Sequence, residues 1–283
     1  MTDTPHTRLL VADWDYFFPN PVLLEHCDDF LGWQLHDWST VEAADHSGDR
    51  LGDVASFIWG TRLEQFIRSG RPITMPDPSY RDFWDRFTFA DHTQVILCDS
   101  NFWAYDFPGA ETVRAVDLFD AHHDAHTFPN AYSGETDCGN WMAAYHDDGL
   151  TDLNVYYPPW RDTIKGGEAD PHFDIARVID DGRPMPHTYD HVVICRSGAW
   201  VPPWCDGAFI EFATHPTITQ FPVTILGGDH VTDLRPVSLH HAFEMAATWR
   251  MFKAKVDPDV TGPMHAPGLT TAPAPTMLTA EGD

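Results

Sequence analysis

Five short apolar runs, at residues 8–12, 94–98, 113–119, 191–195 and 222–226, constrain the fold of this chain more than any other feature. Each leads into a polar or glycine-containing turn. Side chains alternate across a strand, so a short run that is apolar throughout fits a strand buried on both faces of a sheet. Between the runs lie amphipathic stretches at 53–69 and 139–147, and 238–255 has the spacing and length of a late helix. Strands alternating with helices predict an α/β fold, three-layered, with a mostly parallel central sheet.

With 283 residues, 43% of them hydrophobic, the chain can bury a large core without disulfides or repeats. Residues 1–256 are expected to form a single domain. Within it, residues 19–90, rich in Trp and Asp, read as an insertion covering the sheet or as a small separate lobe. From 257 onward Pro, Thr, Ala and Gly prevail, which predicts a disordered tail through 283.

Seventeen Lys plus Arg stand against 43 Asp plus Glu, a formal charge of −26. That balance argues against a nucleic acid or an anionic membrane as partner and favours a cationic ligand, such as a basic peptide or a guanidinium group. The same acidity also serves solubility alone. The five cysteines, Cys27, Cys98, Cys138, Cys195 and Cys205, are scattered and form no Cys-x-x-Cys pair, which fits a reducing compartment. With no signal-peptide pattern and no bilayer-length apolar run, the expectation is a cytoplasmic protein.

The chemistry concentrates at Asp120-Ala121-His122-His123-Asp124. Asp120 follows the run 113–119, at the carboxyl end of an expected parallel strand, where open α/β sheets place their ligands. Were the segment extended, Asp120, His122 and Asp124 would share one face and offer oxygen and imidazole donors to Mn²⁺, Zn²⁺ or Fe²⁺. Asp13-Trp14-Asp15 ends another apolar run with two more carboxylates. Asp-x-Asp alone is more often a turn or a cap; beside the first cluster it becomes a second half of a metal site.

These residues resemble a known group. Asp120-Ala121-His122-His123-Asp124 is similar to the Asp-Ala-His-x-Asp signature of the arginase and ureohydrolase enzymes, whose fold is shared with histone-deacetylase-like amidohydrolases. Asp13-Trp14-Asp15-Tyr16-Phe17 resembles their Asp-x-Asp signature, which in that family comes last and here comes first, as after a circular permutation. Asn101-Phe102-Trp103-Ala104-Tyr105, Cys138-Gly139-Asn140-Trp141 and the run 195–203 are similar to the branch containing peptide arginases, which convert arginine to ornithine within ribosomally made peptides. The resemblance touches most of residues 8–206.

It implies two Mn²⁺ ions about 3.5–4 Å apart, bridged by Asp120 and Asp13, with Asp124 and Asn101 completing one and His122 and Asp15 the other. Where the family has an imidazole ligand this chain offers Asn101 or Ser100, both weaker donors, so one ion or two remains open. The implied reaction is attack of metal-activated water on an arginine guanidinium, giving ornithine and urea. Asp124 or His126 would supply a proton to the leaving amine, His126 being equally readable as an exposed residue. Glu135 or Asp137 could hold the guanidinium, and Ser133-Gly134 stands where ureohydrolases carry a substrate loop, though it also reads as an ordinary turn.

Gly227-Gly228-Asp229-His230 repeats the text of the family's first signature. Using His230 as a ligand would give an order that no circular permutation produces, so the run is expected to form a turn near the pocket. His240 and His241 read as surface or helix residues. Two competing functions stay open: a single-metal, deacetylase-like amidohydrolase using Asp120, His122 and Asp13 or Asp15, and a non-catalytic metal protein that binds peptides through its Trp-rich segment.

Overall fold

A computed structural model describes residues 7–19, 75–126, 136–161, 170–198, 201–227 and 231. Strands β1 (Thr7–Asp13), β2 (Thr88–Cys98), β3 (Val113–Phe119), β4 (Asp152–Tyr157), β5 (Ala176–Ile179), β6 (Thr188–Cys195) and β7 (Val223–Ile225) form one seven-stranded sheet in the order β5-β4-β3-β1-β6-β2-β7. All six strand pairings are parallel. The fold is α/β, as expected, and every strand pairing among the described residues is parallel.

The apolar runs fall on β1, β2, β3, β6 and β7, and the physical reason is visible in β1. Leu10 and Ala12 face one core with Val95, Leu97, Val192 and Ile194, while Leu9 and Val11 face a second core with Ile96, Val116, Leu118 and Val193. Both faces of the sheet are covered, so the central strands carry no polar face. Trp14, Phe17, Trp84 and Phe212 fill the first core, and Trp141, Met142 and Tyr145 of α1 (Trp141–Asp147) fill the second.

β4 and β5 escaped the sequence reading. In β4 only Leu153, Val155 and Tyr157 are buried, alternating with Asp152, Asn154 and Tyr156, so its apolar signal is halved. β5 is a four-residue edge strand with no buried residue.

Helix α2 (Asp206–Ala213) was also unforeseen, and a short α3 (Pro216–Thr219) follows it. Trp84 stacks on Phe212 with ring centroids 4.7 Å apart and donates its indole N–H to the Phe212 carbonyl at 2.9 Å. The last part of the 19–90 segment therefore belongs to the sheet's own core. The rest of that segment, the helices expected at 53–69 and 238–255, and the tail from 257 lie outside the described residues. No described helix is long and apolar enough to cross a membrane.

Along the chain, β1 to β2 moves to one side of the sheet, whereas β3, β4 and β5 are laid down on the other. The reversal puts a topological switch point at the carboxyl ends beside β1, the place where such sheets open a crevice.

Candidate metal centre

Four strands deliver side chains to that edge. β1 ends on Asp13, and a 3-10 turn, Trp14–Phe17, follows at once. Asp13 caps the turn by accepting the backbone N–H of Asp15 at 3.0 Å. The turn brings the Asp15 carboxylate onto the backbone N–H of Ala121 at 3.2 Å.

β3 stops at Phe119, and Asp120 accepts the backbone N–H of His122 at 2.8 Å. Asp124 then adopts a left-handed backbone with φ 48°. The two clusters thus converge through capped turns and not, as expected, through side chains two apart on extended strands. Beyond the sheet the backbone N–H groups have lost their ladder partners, and carboxylates take them instead.

Asp15, Asp120 and His122 each offer a ligand atom, and these atoms lie within 4.8 Å of one another. His122 Nδ1 is 3.0 Å from Asp15 Oδ2 and 3.4 Å from Asp120 Oδ1. The other oxygen of Asp120 turns the opposite way. Asn101, in the turn after β2, sets its amide Nδ2 at 2.6 Å from Asp13 Oδ2, 2.9 Å from Asp120 Oδ2 and 2.9 Å from Asp124 Oδ2. All six expected metal ligands, Asp13, Asp15, Asn101, Asp120, His122 and Asp124, are therefore brought together around Asp120.

Two further donors were not foreseen. The Ser197 hydroxyl, just past β6, donates to Asp13 Oδ2 at 2.5 Å, and the Trp141 indole N–H donates to Asp124 Oδ2 at 2.7 Å. Both residues lie in runs that carry the family resemblance, yet a single hydroxyl or indole in a sequence gives no sign of its aim. Ser197 has φ 51°, and with Asp124 it is one of two non-glycine residues with positive φ among those described. Such conformations cost about 1–3 kcal/mol each and gather at functional sites. Arg161 donates to the Ala121 carbonyl and lies with its guanidinium carbon 3.8 Å from the Tyr157 ring centroid.

Burial pushes Asp13 and Asp120 well above the usual carboxylate range, and the neighbouring charge of Asp15 pushes both further. Burial also raises Asp124, to about 7, against the opposing pull of His122, Trp141 and Asn101. At Asp15 burial works upward too, but the charge of His122 and hydrogen bonds from His122, Asp120 and Ala121 outweigh it and lower the pKa. Burial works downward on His122, where the Asp15 charge and bonds to Asp120 and Asp15 prevail and raise it well above the ordinary imidazole value.

Four carboxylates thus share one buried site with one imidazole, and among them Asp15, Asp120 and His122 stand close enough together to hold a metal ion. The donors are hard oxygens and one ring nitrogen, a set suited to Mn²⁺, Zn²⁺ or Fe²⁺. Within this cluster Asn101 Oδ1 is buried and has no hydrogen-bond partner.

His126, at the far end of the Asp120 loop, places its ring centroid 4.3 Å from that of His123 and donates its backbone N–H to the Gly139 carbonyl. Asp137, considered as a contact for substrate, is buried and accepts the backbone N–H of Gly139 at 2.9 Å in the turn before α1. Glu135, Ser133-Gly134, His230, His240 and His241 lie outside the described residues. Gly227, which opens the Gly-Gly-Asp-His run, has φ 82°, and a Cβ there would meet Trp103 Nε1 at 2.8 Å. That run thus begins beside the Asn101 turn. No family model, curated protein or solved structure matches this chain, so its functional reading rests on the site itself.

Proposed function

We propose that this chain is a metal-dependent hydrolase of C–N bonds, acting as a ureohydrolase on the arginine side chain of a peptide or on a small guanidino compound. The observation that carries the reading is the convergence of Asp13, Asp15, Asp120 and Asp124 with His122 at one buried sheet edge. Asp15, Asp120 and His122 would hold a metal ion, with Mn²⁺ the first candidate. A bound divalent ion would supply the positive charge that polarises substrate and acidifies water.

The chain's own residues supply the rest. Asp124 Oδ2 is engaged by Asn101 and Trp141, which leaves Oδ1 to take a proton from the attacking water and return it to the leaving amine. Water adds to the guanidinium carbon, the C–N bond to the side chain breaks, and urea leaves with ornithine as the other product. His126 is the second candidate proton donor. The charge of −26 favours a cationic substrate by long-range attraction. The thiols of Cys98, Cys138, Cys195 and Cys205 suit a reducing, cytoplasmic setting.

A second reading, the single-metal amidohydrolase of deacetylase type, is favoured by the Asn101 amide at the heart of the carboxylates. Elemental analysis of purified wild type and Asp120→Ala, coupled to urea release from arginine peptides and free arginine, separates the possibilities. Urea release that is lost in Asp120→Ala supports the ureohydrolase. Hydrolysis of an acyl-lysine peptide instead supports the amidohydrolase, and metal retained undiminished in Asp120→Ala removes both.

A further inference from the structure

The four carboxylates are divided between two positions, and Asp120 faces both. On one side its Oδ1, with Asp15 and His122, frames the position whose ligand atoms lie within 4.8 Å of one another. On the other side its Oδ2, with Asp13 Oδ2 and Asp124 Oδ2, frames a second position, and the Asn101 amide nitrogen lies 2.6–2.9 Å from all three oxygens. An amide NH₂ carries partial positive charge and two N–H bonds, so it can stand among carboxylates where a cation otherwise would.

The same oxygens are engaged by further neutral donors. Asp13 Oδ2 also accepts from Ser197 Oγ at 2.5 Å, and Asp124 Oδ2 also accepts from Trp141 Nε1 at 2.7 Å. Turning the Asn101 amide over would aim its oxygen at three carboxylate oxygens, which repel it unless an ion lies between them. The described orientation turns two N–H bonds towards three carboxylate oxygens, even though it leaves Asn101 Oδ1 buried and unpartnered.

Resting on the metal-dependent reading above, we infer that the Asn101 carboxamide occupies the second cation position, so that the centre loads a single ion at Asp15, Asp120 and His122. Asn101 is then a positioning residue. It holds Asp13, Asp120 and Asp124 together beside the loaded ion and closes the adjoining position to a second one.

The test is Mn²⁺ titration of metal-stripped, full-length protein, read by calorimetry and by electron paramagnetic resonance. Wild type should take up about one equivalent and give the spectrum of an isolated ion, whereas Asn101→Asp, which replaces the NH₂ with an oxygen of a fifth carboxylate, should take up about two and give the signal of a coupled pair. Two equivalents with a coupled spectrum in wild type would overturn the inference while leaving the hydrolase reading intact. No uptake by wild type would instead remove the metal reading and the inference with it. Uptake by a folded Asn101→Asp that stays at one equivalent would overturn the role given to Asn101. Should that variant not fold, the wild-type stoichiometry and spectrum decide alone.

Discussion

Replacing Arg196 with Met tests whether one buried ion pair holds the two loops that carry Asn101 and Ser197. Arg196 Nε donates to Asp99 Oδ1 at 2.8 Å and Nη2 to Oδ2 at 3.1 Å, with side-chain exposures of 1% and 5%. The same Asp99 oxygen accepts the Gly198 N–H at 3.1 Å, and Arg196 Nη1 lies 3.9 Å from Asp206 Oδ2 at the start of α2. Asp99 stands two residues before Asn101, and Arg196 directly precedes Ser197, so the pair joins the β2 and β6 loops at the candidate metal centre. Met keeps much of the aliphatic volume but takes the guanidinium away from two buried carboxylates. Breaking a buried pair in this way costs about 3–5 kcal/mol. At about 2–4 °C per kcal/mol, the melting temperature should fall by about 6–20 °C. The assay is thermal unfolding followed by circular dichroism for wild type, Arg196→Met, Asp99→Leu and the double variant. Because much of the penalty comes from stranded charge, the double variant should be less unstable than the sum of its parts, although the Asp206 and Gly198 contacts stay lost. A single variant within about 1 kcal/mol of wild type, the range of an exposed pair, would refute the reasoning. So would a double variant as unstable as the sum of its parts.

Gly227→Ala should destabilise the junction between β7 and the Asn101 turn, because the new methyl would meet the Trp103 indole nitrogen at 2.8 Å from a backbone with φ 82°. A loss of about 1–3 kcal/mol in urea unfolding is expected, and a neutral result would show that Trp103 can move aside. His191 provides a pH dependence away from the candidate metal centre. Burial holds its pKa below the ordinary 6.5, against the pull of Asp190 and Glu111, with His92 adding to the lowering, and its ring packs on Phe107 and meets the Thr112 hydroxyl at 3.3 Å. The unfolded chain therefore takes up a proton at His191 before the folded one does, and stability contributed above 6.5 is lost as the pH falls towards the folded value. The stability of wild type relative to His191→Gln should decline over that window. A difference that stays flat or rises on acidification would contradict it.

The sequence by itself determined the strand class and the place of the chemistry. Five of the seven residues 113–119 are apolar because β3 is sandwiched between two cores, and that condition is written in composition without reference to any distant residue. Asp13 and Asp120 were legible for a related reason, since a carboxylate directly after such a run must stand at the sheet's edge. β4 and β5 were less legible because a half-covered or edge strand needs fewer apolar residues.

What only the tertiary structure decided is how the ligands face one another. Asp124 shares the site through a left-handed turn and the Asn101 amide, and no periodicity along residues 120–124 contains that information. Ser197 and Trp141 reach Asp13 and Asp124 from 184 and 17 residues away in sequence, so their aim depends on the order in which parallel strands are laid beside β1. Local sequence selects the strands and the edge; the seating of the Asn101 amide among the carboxylates belongs to contacts between loops that lie far apart in sequence.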